Sequence, residues 1–388
     1  MVLRILILLL LFSCVLSSCK SDSSAANDNE PVELPPEEED YKETFYKWGY
    51  INKGGRVVIK AEYDDCRNFS EGLAVIRKKG KWGYIDKKGK LVVTPAYKAA
   101  WSISDGLGRV QTYENKMGYV NSKGAVVIEP QFEDAKEFTE GLAVVQKEGA
   151  QGYINKEGTL LIPIQFDQAY RFENGTAKVK VNGKYGLIDP TGKYIIEPIY
   201  EAVHNFNEEL ARVRLNGKFG FVDRNGKLVI PAKYLSAKDF HEGLAVAKEE
   251  ASFGFIDKRG KFTLDEKYDA LWYAESGFWG ATILGKSGFI RRDGKPLGPF
   301  KYNLIYNFSD GLAGYQNGEL WGYIDTTGVE VTDPIFGLIW DFNEGFARVA
   351  YREGVGFINK EGDLILEAKY LDVKDFSEGL ARVQVPGY

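Results

Sequence analysis

From Trp48 to its end the chain returns to one pattern every 34 residues. Units open at Trp48, Trp82, Met117, Gln151, Tyr185, Phe219, Phe253, Ser287, Trp321 and Val355, and only the step from Trp82 to Met117 is longer, at 35. A unit of this size cannot bury an apolar face alone, so it has to stack on its neighbours. The period therefore overrides the two or three separate domains that 388 residues would otherwise suggest.

The slots of the unit can be read one at a time. The second is Gly throughout, from Gly49 through Gly83 to Gly356; the third is aromatic except at Leu187, and the fourth is Ile or Val. Such alternation is a strand period, and a Gly fixed inside a strand marks a place where another backbone or ring comes too close for a Cβ. A turn with Gly at its end follows, as in Asp86-Lys87-Lys88-Gly89, and closes a hairpin. The second strand, Leu91-Val92-Val93 for example, is apolar at consecutive positions and reads as buried on both faces, stopping at Pro95 and its equivalents. An aromatic and a connector ending in Phe69-Ser70-Glu71-Gly72 lead to a third strand, such as Leu142–Gln146. Where the following turn is Asn182-Gly183 or Asn216-Gly217, it carries the strongest short-range hairpin signal. The expected sheet is a three-stranded antiparallel meander: the third strand of one unit, then the first two of the next.

Lys47-Trp48-Gly49-Tyr50-Ile51, Lys81-Trp82-Gly83-Tyr84-Ile85-Asp86 and Leu320-Trp321-Gly322-Tyr323-Ile324-Asp325, with the Phe-Ser-Glu-Gly-Leu-Ala connectors at Phe69 and Phe376, resemble the bacterial WG-repeat family. The resemblance runs over nearly all of the chain from Trp48 to Tyr388, and the unit opening at Ser287 is its most degenerate copy. It implies an all-β repeat protein, often exported, with no established chemistry. The expected fold is thus all-β, ten tandem three-stranded units in an open superhelical or propeller-like array. Ten units exceed the roughly four to eight blades of typical propellers, which favours the open array. The leftover third strand at the C-terminus, paired with the first strand at Trp48, would instead close a ring.

Three segments precede or make up this array. Residues 1–18 carry Arg4 and an apolar run from Ile5 to Leu16, too short to span a bilayer, and read as an export signal. Leu16-Ser17-Ser18-Cys19 resembles the lipobox of bacterial lipoproteins, which implies cleavage before Cys19 and lipidation there; an ordinary cleaved signal peptide is the alternative. Leu11-Phe12-Ser13-Cys14 is a poorer copy, with a bulky Phe. Residues 19–43 are polar, acidic and Pro-containing, and read as a flexible tether. Residues 44–388 form the repeat array. The acids of the tether account for the net charge of -5, so the array is close to neutral, and no nucleic-acid partner is expected.

Candidate chemistry is sparse. His204 and His241 belong to different units without metal-ligand spacing, so no metal, cofactor or catalytic group is expected. Asp223-Arg224-Asn225-Gly226 only superficially matches a calcium loop, since Tyr234 stands where the closing acid belongs. Cys66 fills a slot otherwise held by small or aliphatic residues and reads as a buried thiol. One connector slot varies in chemistry: Arg67, Trp101, Lys136, Tyr170, His204, Lys238, Trp272, Tyr306, Trp340 and Lys374. Flat rings and amphipathic cations in a row suit a ladder for an extended peptide, protein or glycan, but equally suit covering apolar surface at each junction. A second stripe, with Arg109, Lys178, Lys180, Arg212, Arg214, Arg348 and Arg382, is expected on the outward face of the third strand, open to carboxylates or phosphates. The expectation is a non-enzymatic envelope protein, exported and anchored to a bacterial membrane by lipid on Cys19, that binds a protein, peptide or glycan. A structural spacer without a ligand is the alternative.

Overall fold

The computed structural model describes residues 45–264, 268–351, 354–367 and 369–387. All fall within one compact unit, Pro35–Tyr388. The signal segment, Cys19 and the tether lie outside the described residues.

Every described element is a strand or turn, and the strands form ten antiparallel sheets. In the first blade the order is Asp65–Cys66, Leu73–Lys78, Lys81–Asp86 and Leu91–Tyr97. The middle two strands are the expected meander and are buried on both faces. The outer two depart from expectation. A short strand cut from the connector adds a fourth member at the hub of the ring. The Leu91–Tyr97 strand is an exposed rim rather than a doubly buried core strand, with Leu91 facing solvent.

The rim strand also runs straight through its proline. Tyr84 pairs with Val93 but Trp82 pairs with Tyr97, so four rim residues oppose two on the neighbouring strand. The surplus arches outward as a bulge, and Pro95 sits in it, where no ladder donor is required. Directly beneath lies Gly83: a Cβ there would stand 2.4 Å from the Val93 carbonyl oxygen and 2.8 Å from the Pro95 nitrogen. Gly118, Gly152, Gly186 and Gly220 meet equivalent rim backbone at 2.4–2.9 Å. The glycine of the repeat is thus fixed by a backbone crossing over it. In the sixth, seventh and eighth blades the rim is reduced to isolated bridges such as Ile256↔Phe262, Ile290↔Pro296 and Ile324↔Glu330. In the seventh blade the rim sequence Pro296-Leu297-Gly298-Pro299 lacks two backbone donors.

The array closes. The C-terminal strand Leu380–Pro386 pairs with the first strand, Tyr46–Asn52, with Trp48 opposite Gln384 and Ile51 opposite Ala381. The tenth blade therefore combines both ends of the chain, and the molecule is a ten-bladed β-propeller rather than an open superhelix. Its core is divided among the seams between blades. One cluster joins Trp48, Tyr50 and Tyr63 of the tenth blade to Cys66, Phe69 and Ile76 of the first, and nine others repeat the arrangement around the ring. The Phe-Ser-Glu-Gly turns and the Asp-Lys-Lys-Gly turns emerge on one face. The hairpins between the middle strands and the rim-to-hub connections emerge on the other, the hairpin face.

Gly186→Ala tests the bulge. We expect a loss of roughly 1–3 kcal/mol in chemical denaturation. Gly54→Ala, where an added Cβ would meet only the flexible Asn52 side chain at 3.5 Å, serves as the near-neutral control.

Candidate functional site

The hub end of each seam is built from one turn. In Ser70-Glu71-Gly72-Leu73, Glu71 (φ 50°) and Gly72 (φ 84°) are both left-handed, and Ser70 and Leu73 exchange backbone hydrogen bonds at 2.9 and 3.2 Å. This is a two-residue type I′ hairpin, whose first position normally favours Asn, Asp or Gly. Glu stands there because its carboxylate accepts the N–H of the glycine one blade on. Glu71 accepts from Gly106 at 2.8 Å, Asp105 from Gly141 at 2.7 Å, Glu140 from Gly175 at 2.9 Å, and Glu344 from Gly379 at 2.9 Å. Glu378 accepts from Gly72 at 3.0 Å and carries the chain of bonds across the closure.

Lysines from the Asp-Lys-Lys-Gly turns reinforce these carboxylates: Lys87 on Glu378 at 2.9 Å, Lys53 on Glu344 at 3.2 Å, and Lys156 on Asp105. Burial opposes ionisation of Asp105, Glu344 and Glu378, but the lysine and backbone N–H bonds outweigh it and hold all three below the usual carboxylate range. Serines of the same turns add a parallel ladder. Ser70 donates to the Ile103 carbonyl at 2.7 Å and Ser377 to that of Phe69 at 2.7 Å. None of this was legible in the repeat, because each partner lies a whole unit away.

The variable slot lies on the hub strand just above. Its backbone is pinned from below by the buried tyrosine of the W-G-Y strand. Tyr50 donates to the Arg67 carbonyl at 2.7 Å, Tyr84 to Trp101 at 2.7 Å, Tyr119 to Lys136 at 2.6 Å, Tyr153 to Tyr170 at 2.7 Å and Tyr323 to Trp340 at 2.6 Å. Burial pushes these phenols well above their ordinary value, so they stay donors.

The ten slot side chains occupy equivalent places, one per blade, and most are half-buried. Trp101 lies under Arg109 at 4.1 Å, Trp340 under Arg348 at 4.5 Å and Tyr170 under Lys178 at 4.1 Å. Tyr306 stacks on Trp321 at 4.5 Å, and Trp272 lies over Gly280 with its indole N–H on Asn307 at 3.0 Å. Arg67 sits over Trp82 at 5.6 Å, and His204 meets Arg212 at 3.0 Å. Burial, then the Arg212 charge, push this imidazole down to about 4. Lys136 and Lys374 pair with Asp134 and Asp372, two residues earlier, and Lys238 holds the slot in the sixth blade. Tyr170 is the most open of these rings, at 38% exposure.

The second cationic stripe does not form an outward face: of its members only Arg214 is exposed. Arg212 and Arg348 are buried and reach into the next blade: Arg212 to Asp239 at 3.0 Å and the Ala237 carbonyl, Arg348 to Asp375 at 3.0 Å and the Val373 carbonyl at 3.2 Å. Arg382 does the same across the closure, on Asn68 at 2.8 Å and the Cys66 carbonyl. Cys66 itself is buried, its thiol pushed up to about 12 by that burial. The Asp223 loop is turn chemistry, with Oδ1 accepting from the Asn225 and Lys227 amides at 2.9 Å each. Among the described residues, no group of three or more His, Cys, Asp or Glu side chains is placed to hold a metal ion.

The WG-containing-repeat family pattern matches nine stretches: 48–82, 82–116, 117–149, 152–185, 185–219, 219–251, 288–321, 321–352 and 356–387. The chain belongs to this family. The unit opening at Ser287 is matched, whereas the one opening at Phe253 is skipped. That unit is repacked: Ala274 replaces the usual Phe, Phe278 the usual Leu, and buried Trp279 the usual Ala or Gly. In WG-repeat terms the seventh blade keeps its inner three strands and changes its filling.

No curated protein matches the chain in sequence. Solved structures similar to it include a eukaryotic initiation factor, at 12% identity and TM-score 0.48, covering 80% of this chain and 97% of that one. BamB from Moraxella catarrhalis aligns at 11% identity and TM-score 0.35, covering 88% and 98%. PorZ of Porphyromonas gingivalis, described as an essential surface component of the type-IX secretion system, aligns at 11% and 0.24, covering 81% and 47%.

The carboxylate ladder sets an acid limit on stability. Groups held below their unfolded value contribute stability that is complete above the ordinary carboxylate range and is lost as pH falls through the folded value. Glu344→Gln and Glu378→Gln together should flatten the acid limb of a melting-temperature profile. At neutral pH each should cost roughly 1 kcal/mol or less, because the pairs are partly solvated.

Proposed function

We propose that this WG-repeat protein is a non-enzymatic binding scaffold, exported and lipid-tethered through Cys19 to a bacterial membrane. It holds an envelope protein, peptide or glycan against the hub ends of its blades. The observation that supports this is how the variable slot is presented. Its neighbours are committed to holding blades together, while the one position that changes chemistry has its carbonyl fixed by a buried tyrosine hydroxyl at 2.6–2.7 Å in five blades. Side chains displayed on so rigid a base lose little freedom on binding. Trp101, Trp272, Tyr306 and Trp340 offer ring surfaces to apolar or sugar faces; Arg67, Lys136, Lys238 and Lys374 offer charge to carboxylates. The non-enzymatic reading rests on repetition. Catalysis needs a unique constellation, whereas here the Glu, Ser, Tyr and Arg groups recur at unit offsets in joints between blades.

A purely structural spacer is the second reading. It is favoured by the stacking of Trp101 on Arg109 and Trp340 on Arg348, where slot residues fill the seam.

Capture of envelope glycans and peptides on the immobilised protein separates the two. Trp101→Ala with Trp340→Ala, in a protein whose circular dichroism is retained, should lower capture about tenfold if these rings carry contact. Unchanged capture leaves the spacer. Cys19→Ser should abolish incorporation of labelled palmitate and release the protein from the membrane pellet; continued labelling would overturn the anchor.

A further inference from the structure

The hairpin face of the ring is uneven. Around the first five blades its tips are mostly polar: the left-handed hairpin positions are Lys79, Asn115, Glu148, Asn182 and Asn216, and the rim-to-hub connections begin at Asp64, Lys98, Glu133, Asp167 and Glu201, with Tyr113 and Ile199 as exposed apolar side chains among them. Several of these acids cap the neighbouring hairpin, as Glu201 does for the Gly217 N–H at 3.1 Å and Asp64 for that of Gly80 at 3.2 Å.

From the sixth blade to the tenth the same face adds leucines to polar tips such as Asp269, Asn303 and Glu319. Leu235 and Leu371 take the connection slot and are 52% and 61% exposed. Leu284 takes the left-handed hairpin position with φ 50° and is 91% exposed. Leu304 and Leu320 of the eighth blade are exposed at the same end of their strands, and Phe45 (92%) and Tyr46 complete the arc in the tenth. A leucine at positive φ gives up the backbone freedom of Asn or Gly, and an exposed one gains nothing in folding. Local rules broken without benefit to the fold point to a contact outside it.

We propose that this arc rests on the surface of a lipid bilayer, inserting Leu284, Leu235, Leu371 and Phe45 among the headgroups. The proposal builds on the tether reading, and two observations favour lipid over another occupant. The chain enters the ring at Phe45, on this face and at one end of the arc. Only 26 residues separate Cys19 from Phe45, a reach of at most about 90 Å, so a lipid on Cys19 keeps the arc at high local concentration beside the membrane. The apolar groups are also single side chains at turn tips and strand ends spread over several blades. A fluid surface accepts such tips individually, whereas a protein partner would have to match them all. Docked this way, the ring points its Phe-Ser-Glu-Gly face away from the bilayer.

The test uses residues 20–388, which contain the whole compact unit and lack the lipid site, with sedimentation on phosphatidylcholine vesicles. The protein should pellet with vesicles, and the triple variant Leu235→Ser, Leu284→Asn, Leu371→Ser should lose about tenfold or more of that partition. Leu284→Asn alone should keep or raise the melting temperature, since Asn suits the left-handed turn; a fall would mark a structural leucine and overturn its assignment to lipid. Failure to pellet, pelleting indifferent to the triple variant, or self-association lost in that variant without vesicle binding would each overturn the proposal. Because this protein carries no lipid, its result is independent of palmitate labelling at Cys19, which tests the tether alone.

Discussion

A sheet that is apolar on both faces needs a neighbour on each side. In this chain the middle strands of every blade are of that kind, so ten blades laid in a row would leave two faces uncovered. Closure removes both at once. Phe357 and Leu366 of the ninth blade on one side and Cys66, Phe69 and Ile76 of the first on the other enclose Ile51 and Tyr50, which belong to a single strand of the tenth. The apolar interior is therefore a set of ten seams, and the stability of any blade depends on those flanking it.

Polar groups set the direction and spacing of these seams. Carboxylates reach forward to the next glycine N–H, serines to the next phenylalanine or Ile103 carbonyl, and buried arginines to the next hub strand. Such bonds are directional where apolar packing is not, and they recur at nearly the same distance at most joints. Left-handed Glu71 and its equivalents are the local cost of that arrangement, offset by a charge-assisted bond that Asn lacks the charge to make.

The period, the strand alternation, the hairpin turns and the crowding at the W-G glycine could all be read from the chain, because each is set within one unit. Closure could not. It depends on a small rotation between adjacent blades, summed ten times, and no residue encodes that sum visibly. The Glu71–Gly106 bond was hidden for a related reason: stacking the repeats on one another shows what is shared, not which copy touches which. The rim strand was misjudged because Leu91-Val92-Val93 has the composition of a core strand, while its position at the outer edge exposes it. For the candidate site, the ten-membered slot was legible as a pattern. Its depth in the seam, and the Arg109 and Arg348 side chains laid over it, were not.

The tenth blade, joined from Leu380–Pro386 and Tyr46–Asn52, has a consequence for how the molecule is made. The first strand to leave the ribosome has to wait for the last. Until Leu380–Pro386 has been made, Trp48 and Tyr50 lack their strand partner, and a product cut short of it would keep a raw edge open to other chains. Completion of the ring thus doubles as a check that the chain was made through this strand.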